Sequence, residues 1–183
     1  MKTLQFKKLQ ALILFLGFMI SFSLSAQVGG WNPELVKDSQ EALNKMIKTT
    51  SKLQTFKSKA YGYVVFPKVT KAGVGIGGAA GRGAVFKNDV VVGSANLKQA
   101  SIGFQLGGQQ YSEVIFFENK KAYDNFINGK LKFDAQASAV AITEGASIDV
   151  AYNEGVAVFT KTKGGLMFEA SIGGQHFKFK PKK

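Results

Sequence analysis

From Tyr61 onward the apolar residues fall into runs of period two, and this confines most of the chain to an antiparallel sheet with a buried face. Ile102, Phe104 and Leu106 alternate with Ser101, Gly103 and Gln105. Ile148, Val150 and Tyr152 alternate with Ser147, Asp149 and Ala151. The same pattern recurs in Leu166, Phe168, Ala170 and Ile172, and again in Phe177 and Phe179 between His176, Lys178 and Lys180. Val114 to Phe117 is apolar at every position, as in a strand covered on both faces. Asn88-Asp89 and Asn153-Glu154-Gly155 read as turns between strands.

Two segments have helical periodicity instead. Asn32 can accept from free amides, Pro33 suits the first helical position and Glu34 complements the positive end of the dipole. Leu35, Val36, Leu43, Met46, Ile47 and Leu53 then form one apolar stripe to about Leu53, with Lys37, Lys45, Lys48 and Lys52 mainly on the polar side. The pattern reads as a helix docked on a core, with a membrane-surface helix as the alternative. Lys120 to Asn128 reads as a short helix ended by Gly129. The expected class is α+β: an N-terminal amphipathic helix packed on a strongly twisted, barrel-like antiparallel sheet, with one further short helix.

The first 26 residues have a different character. Lys2, Lys7 and Lys8 precede an apolar run from Leu9 to about Leu24, and Ser25-Ala26 form a small-residue exit. This is the pattern of a secretory signal peptide cleaved after Ala26, and the run is shorter than the roughly 20 residues a membrane span prefers. Residues 27–183 then form a single domain of the exported protein. Of the 24 Lys and Arg, 21 remain against 12 Asp and Glu, so the formal charge falls from +12 to +9. Cysteine and Asn-x-Ser/Thr are both missing from the sequence, which suits a bacterial periplasm or cell surface.

Enzymatic readings find little support. Without cysteine there is no thiolate nucleophile or thiolate zinc site, and a triad would depend on His176 alone. Gly73-Val74-Gly75-Ile76-Gly77-Gly78 has G-x-G-x-x-G spacing, but no helix opens there, and Asn96 and Lys98 stand where a ribose-binding acid belongs. Gly73, Gly75 and Gly77 read better as one face of a strand that another element approaches closely. Asp134, Glu144 and Asp149 are scattered carboxylates without a calcium loop. No cofactor or metal is expected.

Basic residues carry the stronger signal. Lys57, Lys59, Lys68, Lys71, Arg82 and Lys87 accompany the first strands, and Lys161, Lys163, Lys178, Lys180, Lys182 and Lys183 crowd the last. Export makes nucleic acid an unnatural partner for this charge and anionic lipid a natural one.

Gly62-Tyr63-Val64-Val65-Phe66-Pro67-Lys68-Val69-Thr70-Lys71-Ala72-Gly73 resembles the opening of the SYLF lipid-binding domain. The resemblance continues through Gly75 to Gly78, Gly81-Arg82-Gly83 and Ala100 to Gly107, then Lys163 to Met167 and Ser171 to Gly174, covering about Glu34 to Pro181. It implies a lipid-binding module without a known catalytic reaction, of the bacterial exported, stand-alone kind. Eukaryotic relatives bind phosphoinositides and help regulate actin, but an exported bacterial protein would not meet actin. Bacterial relatives often carry Gly-Glu-Gly where this chain has Gly81-Arg82-Gly83, a reversal that adds positive charge. The expected function is non-catalytic binding of anionic phospholipid, with Lys68, Lys71 and Arg82 as the lipid-binding residues and Lys45, Lys48 and Lys52 beside them. A structural envelope protein that binds another protein or polymer is the alternative, followed by a small outer-membrane barrel.

Overall fold

The computed structural model describes residues 32–74, 76–102, 107–134, 137–142, 151–162 and 170–183. The helices are α1 Pro33–Thr49, α2 Lys52–Lys59 and α3 Lys120–Ile127. The strands are β1 Gly62–Val74, β2 Ile76–Lys87, β3 Val90–Ile102, β4 Gly107–Phe117, β5 Ser138–Ala141, β6 Val156–Thr162, β7 Ala170–Ser171 and β8 Gln175–Pro181. They form one sheet in the order β7-β5-β6-β4-β1-β2-β3-β8, antiparallel except for the β5–β6 pair. The class is α+β, but the expected barrel-like closure is corrected. β7 and β8 stand at opposite edges of the sheet and do not pair. Only residues 172–174 separate these edges, so Ser171 and Gln175 lie at most about 14 Å apart. The sheet therefore curls strongly, yet the two-residue β7 pairs only with β5 and presents no ladder to β8.

Helix α1 begins as its cap residues dictate. Asn32 Oδ1 accepts from the amides of Glu34 (2.9 Å) and Leu35 (3.3 Å), with Pro33 opening the first turn. The apolar stripe does not run unbroken to Leu53. Thr50 is extended, and a second helix, α2, starts at Lys52. Thr49-Thr50-Ser51 is a run of weak helix formers whose hydroxyls compete for backbone groups, and Thr49 Oγ1 already donates to Lys45 O (3.0 Å). Both helices still present one buried face through Leu43, Met46, Leu53 and Phe56. Helix α3 ends at its expected glycine, Gly129, with φ of 67°. Asn88 and Asp89, both at positive φ, form the β2–β3 turn, and Glu154-Gly155 form the turn before β6.

The sheet is buried on both faces around β1 and β4. On one face Tyr63, Val65, Ala84, Phe86, Val114, Phe116 and Phe159 pack under α1 and α2. On the other, inside the curl, Val64, Phe66, Val69, Leu97, Ile115, Phe117 and Phe177 pack with α3. Phe56 carries the first core, its ring lying 4.9 Å from Phe159 and 5.9 Å from Phe116. A second tie is polar: Tyr63 Oη donates to Asp89 Oδ1 (2.7 Å), and Lys57 Nζ lies 2.9 Å from the same oxygen. These contacts join α2, β1 and the β2–β3 turn. Lys57, then Tyr63, holds the Asp89 carboxyl below its usual pKa.

One irregularity decides which side chains face the helices. Val65 pairs with Ala84, but Lys68 pairs with Arg82, so β1 carries one residue more than β2 between them; the β4 pairing shifts at the same place. Pro67 sits in this bulge, where a missing N–H costs no ladder bond, and Ser112 Oγ donates to its carbonyl (2.9 Å). The extra residue restores Val69 to the curled interior and turns Lys68 to the helix side. Gly73, Gly75 and Gly77 do not line one face of a strand as expected; Gly73 pairs with Gly77 across the β1–β2 hairpin, and Gly75 lies outside the described residues. So do most of the alternating segments at 102–106, 147–152 and 166–172.

Close approach does matter at Gly83. A Cβ there would meet Val65 O at 2.5 Å and Phe66 Cδ1 at 2.8 Å, beside the bulge. Gly83→Ala is expected to destabilise the domain by about 1–3 kcal/mol, measured by chemical unfolding. An unchanged midpoint would mean that the bulge yields freely.

Candidate functional site

The eight strands contain one acidic residue, Glu113, and it faces the curled interior; their basic residues mostly face the other way. Registers place the latter side by side. Lys161 pairs with Ser112, which lies opposite the Pro67 bulge. Lys68 pairs with Arg82, Arg82 with Asn96, and Asn96 with Lys178. One transverse row, Lys161–Ser112–Lys68–Arg82–Asn96–Lys178, thus crosses six strands on the helix-side face. At the usual strand spacing it is about 24 Å long. Lys98 and His176 pair in the neighbouring position on one side, and Ser94 and Lys180 on the other. Lys68, Arg82, Lys98, Lys178 and Lys180 are exposed, whereas Lys161 is half-buried.

Where the row meets α1 it opens into a groove of about 660 Å³. Lys68 and Lys161 lie on its sheet side with Ser112, and Lys45 and Lys48 on its helix side with Asp38 and Glu41. Four lysines against two carboxylates leave the groove positive. Glu41 also lies 4.0 Å from Lys37 on the exposed helix surface, a weak i,i+4 pair. Lys161 Nζ donates to Thr49 Oγ1, which fixes the end of α1 over β6.

Of the six residues singled out in the sequence, four gather here: Lys68 and Arg82 in the row, Lys45 and Lys48 in the groove. Lys52 is exposed at the start of α2 and does not line the groove. Lys71 departs most from expectation. Beyond the bulge it shares the parity of Val69, so it points into the curl and is only 7% exposed. Burial alone lowers its ammonium pKa. Lys161 and Lys178 belong to the row but stood in the sequence only as members of a basic cluster. Their parity was legible; their neighbours were not, because the β4–β6 and β3–β8 pairings join distant segments.

Among the described residues no group of three or more His, Asp or Glu side chains could hold a metal ion. Val90, at 65%, is the one exposed large apolar side chain among them. Among the described residues the face is therefore a charged platform with little exposed apolar surface.

Because Lys71 is a buried cation, Lys71→Met is expected to leave the domain at least as stable, by relieving desolvation. Lys68→Gln should shift stability by no more than about 0.5 kcal/mol. Thermal unfolding of both variants checks this; a large loss for Lys71→Met would show that its ammonium is needed inside the fold.

Residues 98–182, from late β3 to β8, match the Ysc84 family, described as "Las17-binding protein actin regulator". Beta cell expansion factor A of Aeromonas veronii is 27% identical over 164 residues, covering 80% of this chain. The match takes in 59% of that relative, so the chain spans about three fifths of its length. Over residues 98–182 the chain is thus similar to the Ysc84, or SYLF, family.

Proposed function

We propose that the protein is a non-catalytic binder of anionic phospholipid that docks with the helix-side face of its sheet against the membrane. The observation that carries this is the six-strand row. At about 24 Å it exceeds the screening length of about 8 Å in physiological salt, so its ends cannot both serve one head group. A single small anion would neutralise one part of the row, whereas an extended anionic surface engages more of it. Each Lys or Arg near such a plane contributes about 1 kcal/mol, and Lys161, Lys68, Arg82 and Lys178 together supply about 4 kcal/mol. The family is one of binding domains, linked to lipid binding and actin regulation, which agrees with a platform of this kind.

Attachment on this reading is electrostatic. Leu43 and Met46 of α1 are buried against the sheet, so the helix does not offer them to the acyl boundary without undocking. The groove, with Lys45, Lys48, Lys68 and Lys161, is where phosphate groups would sit deepest. The reading includes an exported setting, with residues 1–26 removed as a signal peptide.

Co-sedimentation with vesicles tests the proposal. Vesicles with 30% anionic lipid should bind the mature chain, neutral vesicles should not, and binding should fall steeply with salt. Replacing Lys68, Arg82 and Lys178 together with Gln should weaken binding roughly 100-fold with unchanged circular dichroism. Equal binding to neutral vesicles, or an unaffected triple variant, would overturn it. Lipid-independent capture of an anionic polymer by the same face would favour the envelope-interaction reading instead.

A further inference from the structure

Inside the curl, opposite the basic row, the sheet buries a second set of polar groups. Glu113 of β4 is 0% exposed, and its cross-strand partner Thr160 of β6 is equally covered. Gln175, at the start of β8, reaches across the curl and donates from Nε2 to Glu113 Oε2 at 3.0 Å. It also reaches the hydroxyl of Tyr111, two residues before Glu113 on the same face. This contact joins edge strand β8 to β4, which lies four places away in the sheet. The other oxygens of the pair, Glu113 Oε1 and Gln175 Oε1, are buried without a hydrogen-bond partner among the described residues. Both are acceptors unless Glu113 carries a proton, and a proton on its Oε1 would allow a ring in which acid and amide each donate once.

We propose that Glu113 and Gln175 form a proton-dependent latch that fixes the start of β8 to the inside of the sheet, closed when Glu113 is protonated and released when it is ionised. When ionised, Glu113 keeps a buried carboxylate oxygen without a donor, while the Gln175 amide oxygen is left unpaired as well, which costs desolvation. Among the described residues, the charged and titratable groups on the same interior face include Lys71 of β1, Tyr111 of β4, Tyr123 of α3 and, before β1, Tyr61; β6 contributes neutral Thr160, and β8 and β3 contribute Gln175 and Gln99. No described cation lies within ion-pair distance of Glu113, so the carboxyl gains no compensating charge. Burial accordingly pushes its pKa up to about 7, against a smaller opposing effect of the Gln175 bond. The sign follows: a carboxyl raised in the closed form favours closure at acid pH, and that preference is lost as pH rises towards 7.

The rest of β8 is held differently, since Phe177 packs 5.4 Å from Phe126 and 5.9 Å from Phe66. The latch therefore governs the turn at residues 172–175 and the first residues of the strand. Other ties also hold this turn: Gln99 Nε2 donates to Gly173 O at 2.8 Å, and Ala137 O accepts from the amides of Ile172 (2.9 Å) and Gly173 (3.1 Å). Lys178 belongs to the basic row, so release would loosen one end of that row; this consequence rests on the lipid reading above.

Amide hydrogen exchange of the mature chain without lipid, normalised to intrinsic rates at pH 5 and pH 8, tests the latch. Residues 175–177 should lose protection by on the order of 50-fold between these values, while residues 114–117 of β4 change far less. Glu113→Gln replaces the acid by an amide that cannot ionise and can keep both donations, so its exchange should be independent of pH. Gln175→Met removes the ring and should exchange at pH 5 as fast as the wild type at pH 8. Flat protection in the wild type, an equal loss in β4, or the same fall in Glu113→Gln would each overturn the proposal. With no lipid present, failure of the latch stays distinct from failure of the lipid reading.

Discussion

A single extra residue in β1, at Phe66-Pro67, sets the parity of everything beyond it. Before the bulge Val65 faces the helices and Phe66 faces the curl; after it Lys68 faces the helix side and Val69 returns to the core. Strict alternation would bury Lys68 and expose Val69, losing apolar burial and enclosing a charge. Proline makes the bulge tolerable because it has no N–H to leave unsatisfied, and Ser112 takes up its carbonyl. The bulge thus protects the core and aligns Lys68 with Arg82 at the centre of the basic row.

The two faces of the sheet then divide the chemistry. The helix side holds aromatic packing under α1 and α2 and, beyond it, a field of lysines with no acid on that face of the described strands to oppose it. The interior holds the second core and, at its margin, a small group of buried polar side chains around Glu113. A positive surface of this extent suits a partner that is itself extended and negative, which is why a membrane fits better than a single ligand.

Much of this was legible in the sequence. The cap residues Asn32 to Glu34, Gly129 after α3, the Asn88-Asp89 turn and the two-faced burial of Val114 to Phe117 follow from local stereochemistry, and they stand where expected. The break at Thr49 to Ser51 depended on competition by hydroxyls within a pattern that was otherwise helical. The orientation of Lys71 required knowledge of the bulge, which alternation alone does not reveal. The row required the strand order, fixed by pairings between residues such as Asn96 and Lys178, and no local signal encodes those. Closure failed for a related reason: the curl was implied by many glycine-rich strands, but pairing of the edges depends on distant segments, and among the described residues β7 pairs with β5 and not with β8.

The chain has no cysteine, so a single one can be introduced and labelled without competition. A polarity-sensitive fluorophore at Asn96, within the row, can be compared with one at Asn128, beyond the end of α3, as anionic vesicles are added. The account predicts that the Asn96 label shifts to a drier environment and becomes protected from an aqueous quencher, while the Asn128 label does not respond. The reverse pattern, or equal protection of both labels, would contradict docking through the basic face.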